Sequence, residues 1–193
     1  CTASLLWLTG NSPSNAPVNE TIGQQTLQER LSLLVPDTSW AVTQVLLTDD
    51  GSAIADAIRD GRCVSVSDGS FKDQYGTSAW AIEAESSVDR CTGENIPPND
   101  VSKKHRCKGV NIVPGAPTDQ SAYRSEVAGL FGIATMVREI CAFHDITAGT
   151  VYLGCDGLSA LLNCTDTDYV AKPTAPHFDL ITATRTMLQQ CPV

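Results

Sequence analysis

The chain has 193 residues, of which 42% are hydrophobic, and its 13 basic and 22 acidic side chains give a formal net charge of −9. This length allows one domain with an appendage, or two small domains, and no segment approaches the ~18 consecutive apolar residues that a membrane-spanning helix needs. The acidic balance is the wrong sign for a protein that binds nucleic acid through its overall charge. A nucleic-acid function must therefore depend on a local basic patch, on metal ions or on neighbouring domains.

The chain begins at Cys1 instead of a methionine, so we expect it to be a fragment or a processed product of a longer protein. The apolar run at 5–8 is too short for a signal peptide, which predicts an intracellular protein of the cytoplasm or nucleus, not a secreted one. Several cysteines, such as Cys63, Cys141 and Cys155, lie within apolar patterns. We therefore predict reduced thiols in the core and few or no disulfides.

The first third of the chain, residues 1–61, has no dense core pattern of its own. Leucines at helical spacing predict a helix from Thr26 to Leu34, which Pro36 ends. The segment from Trp40 to Leu47 is expected to be extended, and a helix is predicted from Ala53 to Asp60. We interpret this part as a connector or N-terminal extension that packs on the main domain.

Residues 62–193 predict the element order β-β-β-α-β-α-α, which is typical of an α/β fold (an α+β mixed sheet) with helices packed against the sheet. A wide turn over residues 69–76 is expected between the first two strands, and a polar insert at 85–109 contains a basic cluster at 103–108. The predicted strands run from Cys63 to Asp68, Thr77 to Ala84, Val110 to Val113 and Thr150 to Cys155. The predicted helices are a long one that Asp119 or Ser121 caps and that reaches Cys141, then Gly157 to Asn163 and Asp179 to Leu188.

Three carboxylates stand at informative places in this order. Asp68 ends the first of these strands, Glu126 lies in the first turns of the long helix, and Asp156 ends the fourth strand. If those two strands are neighbours, the three side chains converge, and carboxylates that close together resist joint ionisation. A divalent cation such as Mg²⁺ would remove the conflict, because it prefers oxygen ligands. The alternative is that each carboxylate serves a turn or a helix N-terminus.

Three motifs carry a resemblance to a known family. Ser67-Asp68-Gly69-Ser70-Phe71 with Gly76-Thr77-Ser78-Ala79-Trp80 resembles the opening hairpin of ribonuclease H domains. Ser121-Ala122-Tyr123-Arg124-Ser125-Glu126-Val127 is similar to their helix-borne glutamate motif. Gly154-Cys155-Asp156-Gly157-Leu158-Ser159-Ala160-Leu161 resembles their strand-to-helix aspartate motif. Together these motifs, over residues 62–193, look most like the ribonuclease H domain of retrotransposon-type reverse transcriptases.

The resemblance implies an endonuclease that hydrolyses the RNA strand of RNA–DNA hybrids with two Mg²⁺ or Mn²⁺ ions, leaving 5′-phosphate and 3′-hydroxyl ends. Its catalytic and metal-binding residues would be Asp68, Glu126 and Asp156. Such a domain reads the hybrid through A-form shape and 2′-hydroxyl groups. The basic cluster would contact phosphates or remain a solvated loop. Arg124 would meet a phosphate or simply form a pair on the protein surface. The residues placed to contact the hybrid are Gly69, Ser70, Ser121, Tyr123 and Arg124.

The family continues with a fifth strand, a histidine-containing loop and a last helix with a fourth aspartate, whereas this sequence ends at Val193. We therefore expect an incomplete domain and a poor nuclease, with an open edge on the fourth strand. Another chain, or the polymerase part of a parent polyprotein, would cover that edge. Asp179 is interpreted as a helix N-terminal charge and not as the fourth ligand. Two other hypotheses are an inactive structural or interaction subunit, and an integrase-like or resolvase-like nuclease.

Overall fold

The structure is a computed structural model that describes residues 4–8, 25–84 and 106–193, with the backbone alone for 4–8. It has a mixed α/β architecture, and from Cys63 onward the elements follow the predicted order β-β-β-α-β-α-α. A single-turn 3₁₀ helix at Trp40–Val42 and another at Pro117–Asp119 complete the described elements. The strands are β1 (Ser4–Leu8), β2 (Val45–Leu47), β3 (Cys63–Lys72), β4 (Tyr75–Ala84), β5 (Arg106–Ile112) and β6 (Val151–Cys155). The helices are α1 (Leu27–Ser32), α2 (Pro36–Ser39), α3 (Ser52–Arg59), α4 (Ala122–Phe143), α5 (Leu158–Thr165) and α6 (Phe178–Gln190).

The strands form one six-stranded sheet in the order β1-β6-β3-β4-β5-β2. Strands β3 and β6 are parallel neighbours, and every other pair is antiparallel. The expectation of an open edge on β6 is wrong, because residues 4–8 pair antiparallel with residues 151–155 along that edge. The backbone donors and acceptors of β6 thus have partners from the N-terminal part of the same chain.

The hairpin between β3 and β4 is tighter than predicted. Its strands continue to a two-residue turn at Asp73 and Gln74, whose φ angles of 52° and 68° are left-handed, as the preferred two-residue hairpin turn requires. The predicted wide turn is therefore wrong. Its glycines are strand residues that make room for a helix: a Cβ on Gly76 would lie 2.7 Å from Ser125 Oγ.

Residues 25–61 pack onto the same core as the rest of the chain. Trp40 stacks on Phe131 of α4 with 5.1 Å between ring centroids, and the carbonyl of buried Ala41 accepts a hydrogen bond from Trp80 Nε1 at 3.3 Å. The predicted extended segment is present only at Val45–Leu47. Its first residues turn as a 3₁₀ helix, which brings Ala41 to that indole.

Helix α4 is the centre of the core. It packs against β3 and β4 on one side and α6 on another, and its residues from Val127 to Val137 are buried. The opposite face of the sheet exposes large apolar side chains, including Val66, Val110 and Ile112. None of the described helices combines the length and apolarity needed to cross a membrane.

The cysteines of the described residues are core side chains, as predicted. Six of them, on strands, helices and near the C-terminus, are buried and free, whereas Cys1 and Cys91 lie outside the described residues. Burial raises the pKa of these thiols, to about 12 at Cys63 for example. They therefore behave as small apolar side chains at neutral pH.

Candidate metal centre

The start of α4 fixes the position of Glu126. Ser121 caps the helix, with its Oγ accepting a hydrogen bond from the Arg124 N–H at 3.0 Å, a favoured role for serine because the first helical N–H groups lack partners within the helix. Ser125 Oγ then donates to the Ser70 carbonyl at 2.9 Å. These contacts tie the first turns of α4 to β3 and hold the backbone of Glu126 against the sheet.

Both aspartates of the predicted site are followed by glycines that leave room for Glu126. A Cβ on Gly69 would lie only 2.5 Å from the Glu126 backbone nitrogen, and a Cβ on Gly157 would lie 3.0 Å from Glu126 Cγ. The two Asp-Gly pairs therefore serve the close approach of the helix, and at Gly69 the contact is with backbone, so only a residue without a side chain fits there. Asp68 itself lies inside β3 and does not end it, contrary to the prediction.

The sheet register places Asp68 beside Asp156. Ser67 pairs with Cys155 at the end of the parallel ladder, and the next residue along the chain after each of them is an aspartate. Both aspartates are exposed and line an open cleft of about 910 Å³ on the uncovered face of the sheet. The two carboxylates are thus accessible to a ligand from solution.

The structure brings two of the three predicted carboxylates together with a thiol. Ligand atoms of Glu126, Cys155 and Asp156 all lie within 4.8 Å of one another, an arrangement that could hold a metal ion. Asp68 is outside this close group, but its charge is near enough to raise the pKa of Glu126. The four residues belong to one acidic locus where β3, β6 and α4 meet.

The electrostatics of this locus leave negative charge uncompensated. Burial is the largest cause of the raised pKa of Glu126, and the charges of Asp156 and Asp68 add to it. The Cys155 thiol and the Gly69 N–H oppose the shift by hydrogen bonding to the carboxylate. Among the ion pairs of the described residues, none includes these three carboxylates. Such a group favours a hard cation with oxygen ligands.

Cys155 is the site residue that the sequence reasoning missed, because it was interpreted as a core thiol only. Its side chain is 3% exposed, and its Sγ donates to Glu126 Oε2 at 3.3 Å. Burial first, and then the charge of Glu126, raises the pKa of the thiol to about 12, so it is a neutral donor at physiological pH. The sequence signal that could have identified Cys155 as a site residue is its position at the end of a predicted strand, immediately before Asp156.

The residues predicted to contact substrate differ in what they contact. Ser121 Oγ lies 3.0 Å from His177 Nε2, and the Tyr123 hydroxyl accepts a hydrogen bond from Asn163 Nδ2 at 2.7 Å. The Tyr123 and His177 rings stack with 5.6 Å between their centroids. Ser70, in contrast, is exposed on β3, one residue after Gly69.

Arg124 is engaged within the fold. Its side chain is 5% exposed, its guanidinium donates to both carboxylate oxygens of Asp179 at 2.8 and 2.7 Å, and its Nε donates to the Pro114 carbonyl at 3.0 Å. The Arg124 guanidinium is therefore not exposed, and it is not available for the predicted phosphate contact. Asp179 lies in the first turn of α6, and hydrogen bonds from Arg124 lower the pKa of Asp179.

The basic cluster of the insert is described only at its end. Arg106 pairs with Glu83 at 2.9 Å, whereas Lys108 is exposed and lines the open cleft. Lys103, Lys104 and His105 lie outside the described residues.

Comparison of the chain with models of protein families, with curated proteins and with solved structures found no match.

Proposed function

We propose that this chain is a ribonuclease H-type endonuclease domain, derived from a reverse transcriptase, that hydrolyses the RNA strand of RNA–DNA hybrids with Mg²⁺ or Mn²⁺. One observation carries the proposal. Glu126 of α4 lies beside the end of the parallel ladder between β3 and β6, where Asp68 and Asp156 follow the last paired residues, and no cationic side chain of the described residues is paired to these three carboxylates. Neighbouring carboxylates of this kind are stable together when divalent cations share them.

The residues fit divalent metal ions by their chemistry. Glu126 and Asp156 offer carboxylate oxygens within 4.8 Å of each other, and Asp68 lies on the neighbouring strand β3, one residue after the last pair of the parallel ladder. Metal ions bound there would lower the pKa of a bound water and neutralise charge that develops on a phosphodiester. This chemistry is also the way in which a chain of net charge −9 could act on a polyanion.

The chain's own residues would orient the substrate and hold the ligands. Asp68 and Asp156 are exposed, so a duplex can reach them, while the backbone of half-buried Glu126 is held by the helix start. Exposed Ser70 and the partly exposed Ser121 and Tyr123 lie in the segments that surround Glu126. Contacts between these hydroxyl groups and a duplex would suit recognition of the A-form by its shape and its 2′-hydroxyl groups, without reading base sequence.

The test is a cleavage assay with matched duplexes. The purified chain is incubated with end-labelled RNA–DNA, RNA–RNA and DNA–DNA duplexes of one sequence in Mg²⁺ or Mn²⁺. We expect hybrid-specific cutting that leaves 5′-phosphates and that Asp68→Asn abolishes. Asp56→Asn is the control, because Asp56 is an exposed residue of α3 that pairs with Arg59 at 2.9 Å.

Two outcomes would reject the proposal. Equal cutting of all three duplexes would remove hybrid specificity, and cutting that survives Asp68→Asn would remove the site. Complete absence of cutting with either metal would favour the alternative of a structural or interaction subunit. The exposed apolar face around Val66 and Val110 would then be the surface to examine.

A further inference from the structure

We infer that Cys155 is a positioning residue of this centre: its thiol holds the Glu126 carboxylate beside Asp156 in the orientation that a metal ion requires. The catalytic consequence depends on the function proposed above, whereas the contact itself does not. The inference assigns a role to a side chain that the ribonuclease-like motifs leave unexplained.

The contact is specific within the described residues. Cys155 Sγ lies 3.3 Å from Glu126 Oε2, and its other acceptor, the Gly157 carbonyl, is farther away at 3.9 Å. The thiol is buried, so no bulk water competes for the carboxylate on this side. A thiol is a weak donor, but a carboxylate is the strongest acceptor that it can find in a protein.

The thiol connects a rigid element to a flexible side chain. Cys155 is the last ladder residue of β6 and pairs with Ser67 of β3, so its backbone is fixed by the sheet. Glu126 reaches the same point through several rotatable bonds and has two like charges, Asp68 and Asp156, nearby. Those charges favour rotamers in which the carboxylate moves away. The hydrogen bond from Cys155 to Glu126 Oε2 opposes that movement and preserves the close arrangement with Asp156.

Loss of the Cys155 donor should weaken metal binding. Residues that orient a metal ligand commonly change metal affinity by about 10- to 100-fold when they are removed. Because Gly69 also contributes a backbone hydrogen bond to Glu126, we expect the lower end of that range for Cys155. Serine in place of Cys155 keeps a donor. Its Cβ–Oγ bond is shorter than the Cβ–Sγ bond of cysteine, so the hydroxyl lies slightly farther from the Glu126 carboxylate.

The experiment compares Cys155→Ala and Cys155→Ser with the wild-type chain, and uses Cys107→Ala as the matched control. Cys107 is also a buried strand cysteine, but it lies on β5 and lines neither the acidic locus nor the cleft. The readouts are the position of the Glu126 carboxylate in metal-free crystal structures and the Mn²⁺ dissociation constant from titration calorimetry. We expect Cys155→Ala to displace the carboxylate and to weaken Mn²⁺ binding about tenfold. Cys155→Ser should remain within about twofold of the wild type in affinity, and Cys107→Ala should change neither readout.

The results separate this inference from the proposed function. An undisplaced carboxylate and unchanged Mn²⁺ affinity in Cys155→Ala would overturn the positioning role while leaving the nuclease proposal intact. Failure of the wild-type chain to bind Mn²⁺, with Glu126 displaced only in Cys155→Ala, would overturn the proposed function and keep the contact. If Cys155→Ala does not fold, Cys155→Val fills the space of the thiol without a donor and must give the same displacement. Equal weakening in Cys107→Ala would show a general packing effect and reject the inference.

Discussion

Helix α4 carries two glutamates whose surroundings are opposite. The side chain of Glu139, 13 residues after Glu126, is 4% exposed and accepts hydrogen bonds from Arg30 Nε at 2.7 Å and Arg138 Nη2 at 2.6 Å. Glu126 has Asp68 and Asp156 for neighbours, and its donors are a thiol and a backbone N–H. One carboxylate is neutralised within the fold, and the other is not.

This difference separates a structural carboxylate from a functional candidate. Glu139 links α1 to α4 through Arg30, and its two arginine partners balance its charge within the described residues. A half-buried carboxylate among like charges costs stability, because burial and repulsion both oppose its ionisation. Charges of this kind are typical of sites where an outside cation completes the arrangement. The contrast is testable because Gln can replace each glutamate with little change of shape.

The largest expected effect is on catalysis. Glu126→Gln should lower hybrid cleavage at saturating Mn²⁺ by about 100-fold or more, since removal of a preorganised electrostatic group commonly costs 10²–10³ in rate. Glu139→Gln should leave cleavage by the folded fraction within a few-fold of the wild type. The measurement is initial cleavage rate per folded molecule for both variants. Similar losses in both would show that the two glutamates do not differ in function.

The next largest effect is on stability, where we expect Glu139→Gln to cost more than Glu126→Gln. Glu139→Gln should lower the free energy of unfolding by about 2–3 kcal/mol, because it leaves two guanidiniums with a neutral partner, and their partial exposure keeps the loss below that of a fully buried pair. Glu126→Gln should cause no loss in metal-free buffer, because it removes a repelled charge. Urea unfolding of both variants tests this, and a larger loss in Glu126→Gln would contradict the comparison.

The sequence predicts those parts of the fold that depend on local patterns. Alternation in β3 and β4, the helical spacing of α4 and the apolar run of β6 gave the element order, and Ser121 is one of the two predicted caps of α4. The positions of Glu126 and Asp156 on their elements follow from the same local signals. Their neighbourhood then depends on β3 and β6 being adjacent, which the element order favours.

The parts that the sequence does not reveal depend on contacts between distant residues. Glycines 69 and 76 looked like turn residues, yet the space that they provide is for a helix about 50 residues later. Arg124 looked available for a phosphate, but its partner Asp179 is 55 residues away. The role of Cys155 depends likewise on Glu126, from another element. Composition and periodicity do not encode such pairings.

A smaller effect is expected where Gly157 faces Glu126. The backbone φ of Gly157 is −75°, so alanine is allowed there, but its Cβ would lie 3.0 Å from Glu126 Cγ. Gly157→Ala should displace the glutamate side chain at a stability loss of about 1 kcal/mol, the lower end for overpacking, and weaken Mn²⁺ binding several-fold. Calorimetric titration and urea unfolding measure the two changes. Unchanged Mn²⁺ affinity would show that the metal centre does not need Glu126 in its present position.

The smallest effect concerns Asp179. Its surroundings are a third arrangement, in which an exposed carboxylate pairs with a buried guanidinium. Hydrogen bonds from Arg124 lower the pKa of Asp179 below its usual 3.8. The folded state therefore favours the charged form, and the resulting stability is present above the unfolded pKa and is lost as pH falls through the folded pKa. Because the Asp179 side chain is 66% exposed, we expect the contribution to be about 1 kcal/mol or less. Urea unfolding of wild type and Asp179→Asn between pH 2 and pH 6 should give a stability difference that is full near pH 6 and shrinks below pH 4. A difference that is constant over this range would mean that Asp179 contributes through packing or a neutral hydrogen bond, and that its charge is not what Arg124 stabilises.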